Sequence, residues 1–215
     1  MKKCLCVILL FCLLAPVWAF ADQTVVTALA TEVNPDALVS VAVDARITAY
    51  NPADNTLTLE LIVPESFYYE DIWNLQAGDA IYTQGREIPV RTVTEDENGY
   101  FILNQGEGGD AEDTVWLYQY LDQNYQVITM DSDNTWTLLA TVSVPVPQHL
   151  LFLDGIDPST LQSRYLPSVH NGADFLSMME SEKEKGPGFA INNTTVVFDS
   201  NGELALIRRY YVPWQ

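Results

Sequence analysis

The run Val39-Ser40-Val41-Ala42-Val43-Asp44-Ala45-Arg46-Ile47-Thr48-Ala49, followed after Asn51 to Asn55 by Leu57-Thr58-Leu59-Glu60-Leu61-Ile62-Val63, decides the fold class. Val41, Val43, Ala45, Ile47 and Ala49 take one phase of a period of two, with Asp44, Arg46 and Thr48 in the other. Leu57, Leu59, Leu61 and Val63 repeat the pattern against Thr58 and Glu60. Strict alternation on either side of a turn-rich segment describes a β-hairpin with one buried face. Pro64 stops the second strand, since proline cannot donate to a ladder. Working outward, Glu65 to Leu75 mixes Phe67, Tyr68, Ile72, Trp73 and Leu75 with acids, as suits a short helical turn covering the open end of a barrel. Ala80 to Tyr82, Glu87 to Val93 and Tyr100 to Leu103 read as short strands parted by Gln84-Gly85 and by Asp96 to Gly99. Five strands within about 65 residues match the spacing of small barrels, so residues 39–104 are expected to form a small antiparallel β-barrel.

Residues 105–113, rich in glycine and acids, form the expected internal boundary, a linker or exposed loop. Beyond it lies a second β-rich lobe, 114–215. Val115 to Tyr120, Tyr125 to Met130 and Trp136 to Val144 read as strands, with Pro145 and Pro147 placing that end at an edge. Asn171 as cap, Asp174 in the first turn, an apolar stripe of Phe175, Leu176, Met178 and Met179, and Gly186-Pro187 as stop predict one amphipathic helix near 172–185. Thr194 to Phe198 and Leu204 to Tyr211 flank Asn201-Gly202, which predicts a terminal hairpin closed by a type I′ turn with both central residues at positive φ. The segment 22–38, broken by Asn34-Pro35-Asp36, is a lead-in with room for one added strand. The class is mainly β with one late helix, an α+β arrangement of barrel and second lobe.

Residues 1–21 follow another logic. Lys2 and Lys3, the apolar run Cys4 to Leu14 and the Ala19-Phe20-Ala21 site have the layout of a secretory signal peptide, and Phe11 before Cys12 does not suit lipoprotein processing. The expectation is a secreted or periplasmic product starting at Asp22. All three cysteines leave with the signal, so no disulfide and no cysteine nucleophile are expected in the mature chain. Lys2 and Lys3 are the segment's only charged residues, so the 194 residues that remain carry a net charge of −21 rather than −19. Such a chain repels phosphate backbones, which argues against nucleic acid as partner. With 48% hydrophobic residues it is no disordered tail, and beyond the N-terminus no apolar run reaches membrane-spanning length.

Histidine chemistry has little to work with. His149 and His170 are the two histidines, neither in a metal-ligand motif, and His170 has Ser168 and Asp174 nearby in sequence. The ordinary reading of His170 is a residue of the helix-capping region. Glycoside hydrolysis needs only two carboxylates across a cleft, but 29 acids make chance pairs common. Asp131-Ser132-Asp133-Asn134 begins like a calcium loop, yet Trp136 stands where the loop needs glycine and Val142 where it needs glutamate, so a tight turn is the reading. No metal, cofactor or catalytic residue is assigned. Arg208 and Arg209, adjacent in a strand, point to opposite faces and are expected to pair with separate acids.

The aromatic residues are the surplus. Trp116, Tyr118 and Tyr120 share one phase of a strand whose other phase holds Val115, Leu117 and Leu121, so one face is expected to be partly wet. Trp116, Tyr118 and Tyr120 are therefore the candidate ligand-binding residues, with Asp110, Glu112, Asp113 and Asp122 as nearby acceptors. The functional expectation is a non-catalytic binding or interaction module for a glycan or peptide. A carboxylate hydrolase of extracellular polymer and a component of a larger envelope assembly are the alternatives; oligomeric state is not encoded in any motif.

Overall fold

The structure, a computed structural model, describes residues 24–29, 38–106, 111–120, 124–129, 135–157, 159–181 and 193–211. Residues 1–21, expected as a signal peptide, residues 131–134, expected as a turn, Asp110 and Asp122 lie outside the described residues, as does the side chain of Tyr120. The fold is mainly β. Its strands are β1 (Val25–Thr27), β2 (Ala42–Asn51), β3 (Thr56–Pro64), β4 (Ser66–Tyr68), β5 (Ala80–Thr83), β6 (Arg86–Pro89), β7 (Val93–Glu95), β8 (Phe101–Leu103), β9 (Val115–Tyr120), β10 (Asn124–Ile128), β11 (Trp136–Pro145), β12 (Leu151–Ile156), β13 (Ser163–His170), β14 (Thr194–Phe198) and β15 (Leu204–Arg209). Two helices, α1 (Tyr69–Trp73) and α2 (Gly172–Ser181), complete it. Among the described residues no helix is long and apolar enough to cross a membrane.

Among the described residues three sheets form, and none closes into a barrel. The strands expected to make a barrel over 39–104 separate at Pro64. β2 and β3 join a seven-stranded sheet in the order β11-β3-β2-β14-β15-β12-β13, whereas β4, β7 and β8 join β9 and β10 in a five-stranded sheet, and β5 and β6 pair with β1 in a third. The physical reason is the buried face of the hairpin. Val43 and Ala45 of β2, with Leu57, Leu59 and Leu61 of β3, need an apolar surface wider than two strands. The C-terminal hairpin supplies it with Val196, Phe198, Leu204 and Ile207. β8 and β9, which flank residues 105–113, are neighbours in one sheet.

Two apolar cores result. One gathers Phe67, Ile72, Ile81, Ile88, Phe101, Leu103, Leu117 and Val127 between the three- and five-stranded sheets. The other lies on the seven-stranded sheet, where α2 lays Phe175 against Phe152 with ring centroids 5.0 Å apart. Asn171 caps α2 as its sequence predicts, its Oδ1 accepting the Asp174 N–H at 3.0 Å. The terminal hairpin also forms, but its turn is not type I′: of Asn201 and Gly202, only Gly202 has positive φ, at +77°. The Asp199 carboxylate accepts the N–H groups of Asn201 and Glu203, and Gly202 N–H reaches the Asp199 carbonyl, so a longer loop ending in a left-handed glycine replaces the two-residue turn. The two-residue turn with both centres at positive φ is at Gln84 (+53°) and Gly85 (+75°), between β5 and β6.

Candidate functional site

β9 is the middle of the five-stranded sheet's long antiparallel run, paired with β8 on one side and β10 on the other. Val115 and Leu117 are 1% and 0% exposed and face the core with Phe101, Leu103, Tyr125 and Val127. Trp116 and Tyr118 take the opposite phase, and Tyr120 occupies the next position of that phase. The opposite face is graded along the strand. At Trp116 the register partners Ile102 and Ile128 are both buried, and Trp116 itself is half-buried. Two residues on, Tyr118 is 42% exposed and leans on Tyr100, centroids 5.2 Å apart. Gln126 lies opposite Tyr118 and Asn124 opposite Tyr120; beyond them β4 places Ser66 and the half-exposed Tyr68 in the same two rows. The wet end of the face is thus phenol rings alternating with neutral amides.

Of the expected acidic acceptors, Glu112 and Asp113 are among the described residues. Asp113 is engaged by Arg86 at 2.7 Å and by Arg91 at 3.2 Å, and Arg86 also donates to the Glu112 carbonyl. These bonds pin the short 3₁₀ turn Ala111–Asp113 against β6, helped by buried Asn104, whose amide donates to the carbonyls of Pro89 and Asp113. Asp113 is therefore a tether for the turn entering β9, and among the described residues the polar groups on the aromatic face itself include Ser66, Asn124, Gln126 and the phenols.

A second aromatic set, which the strand pattern did not single out, sits on α1. Tyr69 and Trp73 stack at 5.5 Å with planes 15° apart, Tyr69 stacks on Tyr125 at 5.7 Å, and Phe101 closes the group edge-on to both Trp73 and Tyr125. Trp73 remains 55% exposed, the outermost ring of a column rooted in the core. Burial pushes the Tyr125 hydroxyl pKa up, with smaller contributions from Tyr69 and Glu95. The signal was the i, i+4 spacing of Tyr69 and Trp73, which puts two rings on one helical face.

The histidines separate. His170 Nε2 lies 2.9 Å from Ser168 Oγ, two residues away on β13, and its ring rests against Phe152. Ser168 also points its hydroxyl at the Asp154 carbonyl at 3.4 Å, while among the described residues Asp174 makes no bond to His170, so the three do not form a catalytic triad. His149 meets Asp199 and Glu203 at the terminal hairpin, the three potential ligand atoms lying within 4.8 Å of one another. Arg208 and Arg209 do point to opposite faces, but Arg209 is not a surface residue. Its guanidinium forks onto Asp154 at 3.0 and 2.9 Å, both side chains nearly fully buried, whereas Arg208 lies over the Tyr210 ring. Comparisons with protein-family models, with curated proteins and with solved structures each gave no match.

Proposed function

We propose that the chain is an exported, non-catalytic binding module whose β9 face, Trp116, Tyr118 and Tyr120, receives a neutral glycan. The observation that carries this reading is the half-wet aromatic face: Tyr118 and Tyr68 are 42% and 50% exposed on a face whose intervening polar residues are Asn124 and Gln126. Ring faces take sugar C–H groups, and flanking amides take hydroxyls without placing a charge beside them. The lining is neutral among the described residues, where Asp113 is already held by two arginines, and this supports a sugar over a basic peptide. The hydrolase alternative gains nothing from the buried acids: Asp154 is paired with Arg209, and Glu65 accepts bonds from Thr83, Gln84, Thr135 and Thr137.

The test is Tyr118→Ala, assayed for glycan-array binding and melting temperature together. Lost binding at nearly unchanged stability supports the platform. Unchanged binding, or no binding by the unaltered protein, removes it. Export is checked by intact mass: the reading requires a product starting at Asp22 without lipid, and a recovered chain retaining lipidated Cys12 contradicts it.

A second reading, a component of a larger assembly, is favoured by one observation. β13 stands at an edge of the seven-stranded sheet, and there Tyr165 is 99% and Leu166 72% exposed. The register shift between Asp154 and Ile156 pushes this segment out of the ladder. Apolar knobs on an open edge are what strand-to-strand assembly uses. Tyr165→Lys with Leu166→Ser should leave a monomer monomeric and break any native oligomer seen by light scattering.

A further inference from the structure

We propose that His149, Asp199 and Glu203 form a binding site for a divalent transition ion of the zinc class. The three come from different places in the chain: His149 from the connection between β11 and β12, Asp199 from the end of β14 and Glu203 from the start of β15. Parallel pairing of β12 with β15 brings the first to the other two. His149 Nε2 is 3.8 Å from a Glu203 carboxylate oxygen, and all three ligand atoms lie within 4.8 Å. Ligands at about 2.0–2.2 Å from a tetrahedral zinc stand about 3.3–3.6 Å apart, so closing onto an ion requires only rotations of exposed side chains.

Each ligand is also anchored by its neighbour in sequence. Leu150, Phe198 and Leu204, adjacent to His149, Asp199 and Glu203, are all buried in the same core, which fixes the three backbones relative to one another. The Asp199 carboxylate is oriented through one oxygen by the N–H groups of Asn201 and Glu203. Two carboxylates balance the ion's charge and leave coordination positions for water. An imidazole in the set selects a borderline metal over calcium or magnesium, which prefer all-oxygen cages.

The probe is Co²⁺, read by its visible absorption and displaced by Zn²⁺, on chelator-stripped protein carrying no histidine tag, at physiological salt so that loose attraction to an acidic surface is screened. One saturable equivalent is expected. His149→Ala and Glu203→Gln should each weaken it by more than about tenfold, and His170→Ala should leave it unchanged. Both altered side chains are exposed, so folding, monitored by circular dichroism, should survive. Absence of a saturable Co²⁺ spectrum, or binding in His149→Ala as tight as in the unaltered protein, overturns the proposal.

Discussion

Arg209 shows how much one residue's surroundings change its worth. Placed on the surface, its pair with a carboxylate would contribute well under about 1 kcal/mol. Buried on the core face beside Phe152 and forked onto Asp154, it is a charge whose solvation has been replaced by protein groups, the Asp154 carboxylate among them. Arg209→Met should therefore cost about 3–5 kcal/mol, because Asp154 is left charged and buried. Arg209→Met combined with Asp154→Leu should recover most of that loss in urea denaturation. A single variant as stable as the unaltered protein would show that Asp154 has other support. Strand alternation correctly separates Arg208 from Arg209, but which face is buried depends on β12. That strand was hidden in the sequence by irregular hydropathy and by the punctuation of Gly155, Pro158 and Pro167. A turn glycine is easier to judge: Gly202 has open space where a side chain would start, so the strain of Gly202→Val is purely that of positive φ, and a loss of about 1–3 kcal/mol is expected from denaturant midpoints.

Among the elements, two loops share a chemistry that the residues spell out in retrospect. Asp96-Glu97-Asn98-Gly99 and Asp199-Ser200-Asn201-Gly202 each put an aspartate at the first position and a left-handed glycine at the fourth. In both, the carboxylate takes the N–H groups two and four residues on, and the aspartate N–H closes onto the carbonyl four residues on. Asn-Gly alone pointed to a two-residue turn; the aspartate two positions before the asparagine is what lengthens it. The N–H of Tyr100 and that of Glu203 are the leading causes that lower the Asp96 and Asp199 pKa values from 3.8. A lowered folded value means stabilisation that is present above the unfolded value and lost as pH falls through the folded one. Asp199→Asn keeps an acceptor oxygen without the titration, so its urea midpoint should fall less between pH 5 and about pH 2.5 than that of the unaltered protein. α2 offers a steric test: a side chain at Gly172 would meet the Pro147 carbonyl oxygen at 2.2 Å, a backbone atom that cannot swing away. Gly172→Ala should lift the helix start from the sheet and lower the melting temperature by several degrees. Hairpins, the helix cap and the alternating strands were legible because their signals are local. The outward swing at β13 and the rings of α1 were not, since both depend on what packs behind them.

For the whole molecule, sequence reading stopped at the choice of partners. The 42–64 hairpin pairs through β2 with β14, some 150 residues further along the chain, and nothing in a period of two says whether a strand's neighbour is near or far in the chain. The consequence is two cores whose common point is Glu65, where the chain leaves the seven-stranded sheet for the five-stranded one. Glu65 is 5% exposed, and its carboxylate accepts bonds from Thr83 and the Gln84 N–H on the three-stranded side and from Thr135, just before β11, and Thr137, near the start of that strand. Its own backbone N–H reaches Thr135, and its carbonyl takes the Val127 N–H. One residue, through its side chain and backbone together, thus ties four segments, its own included, at the place where the cores meet. Hydroxyls and an amide, not a cation, surround it, so the stabilisation is carried by charge-assisted hydrogen bonds. Glu65→Ala strands the buried Thr83 hydroxyl on one side and the half-buried Thr135 and Thr137 hydroxyls on the other, and should cost on the order of 3 kcal/mol. Glu65→Gln, which keeps an acceptor but loses the charge, should cost less. The distinguishing readout is cooperativity. With the knot removed, unfolding followed by Trp73 near one core and by circular dichroism of the whole chain should cease to coincide, the two cores melting in separate steps. If Glu65→Ala unfolds in a single transition with the two signals superimposed, apolar contact and the remaining backbone bonds suffice to couple the cores, and Glu65 is only a local tether of the Gln84-Gly85 turn.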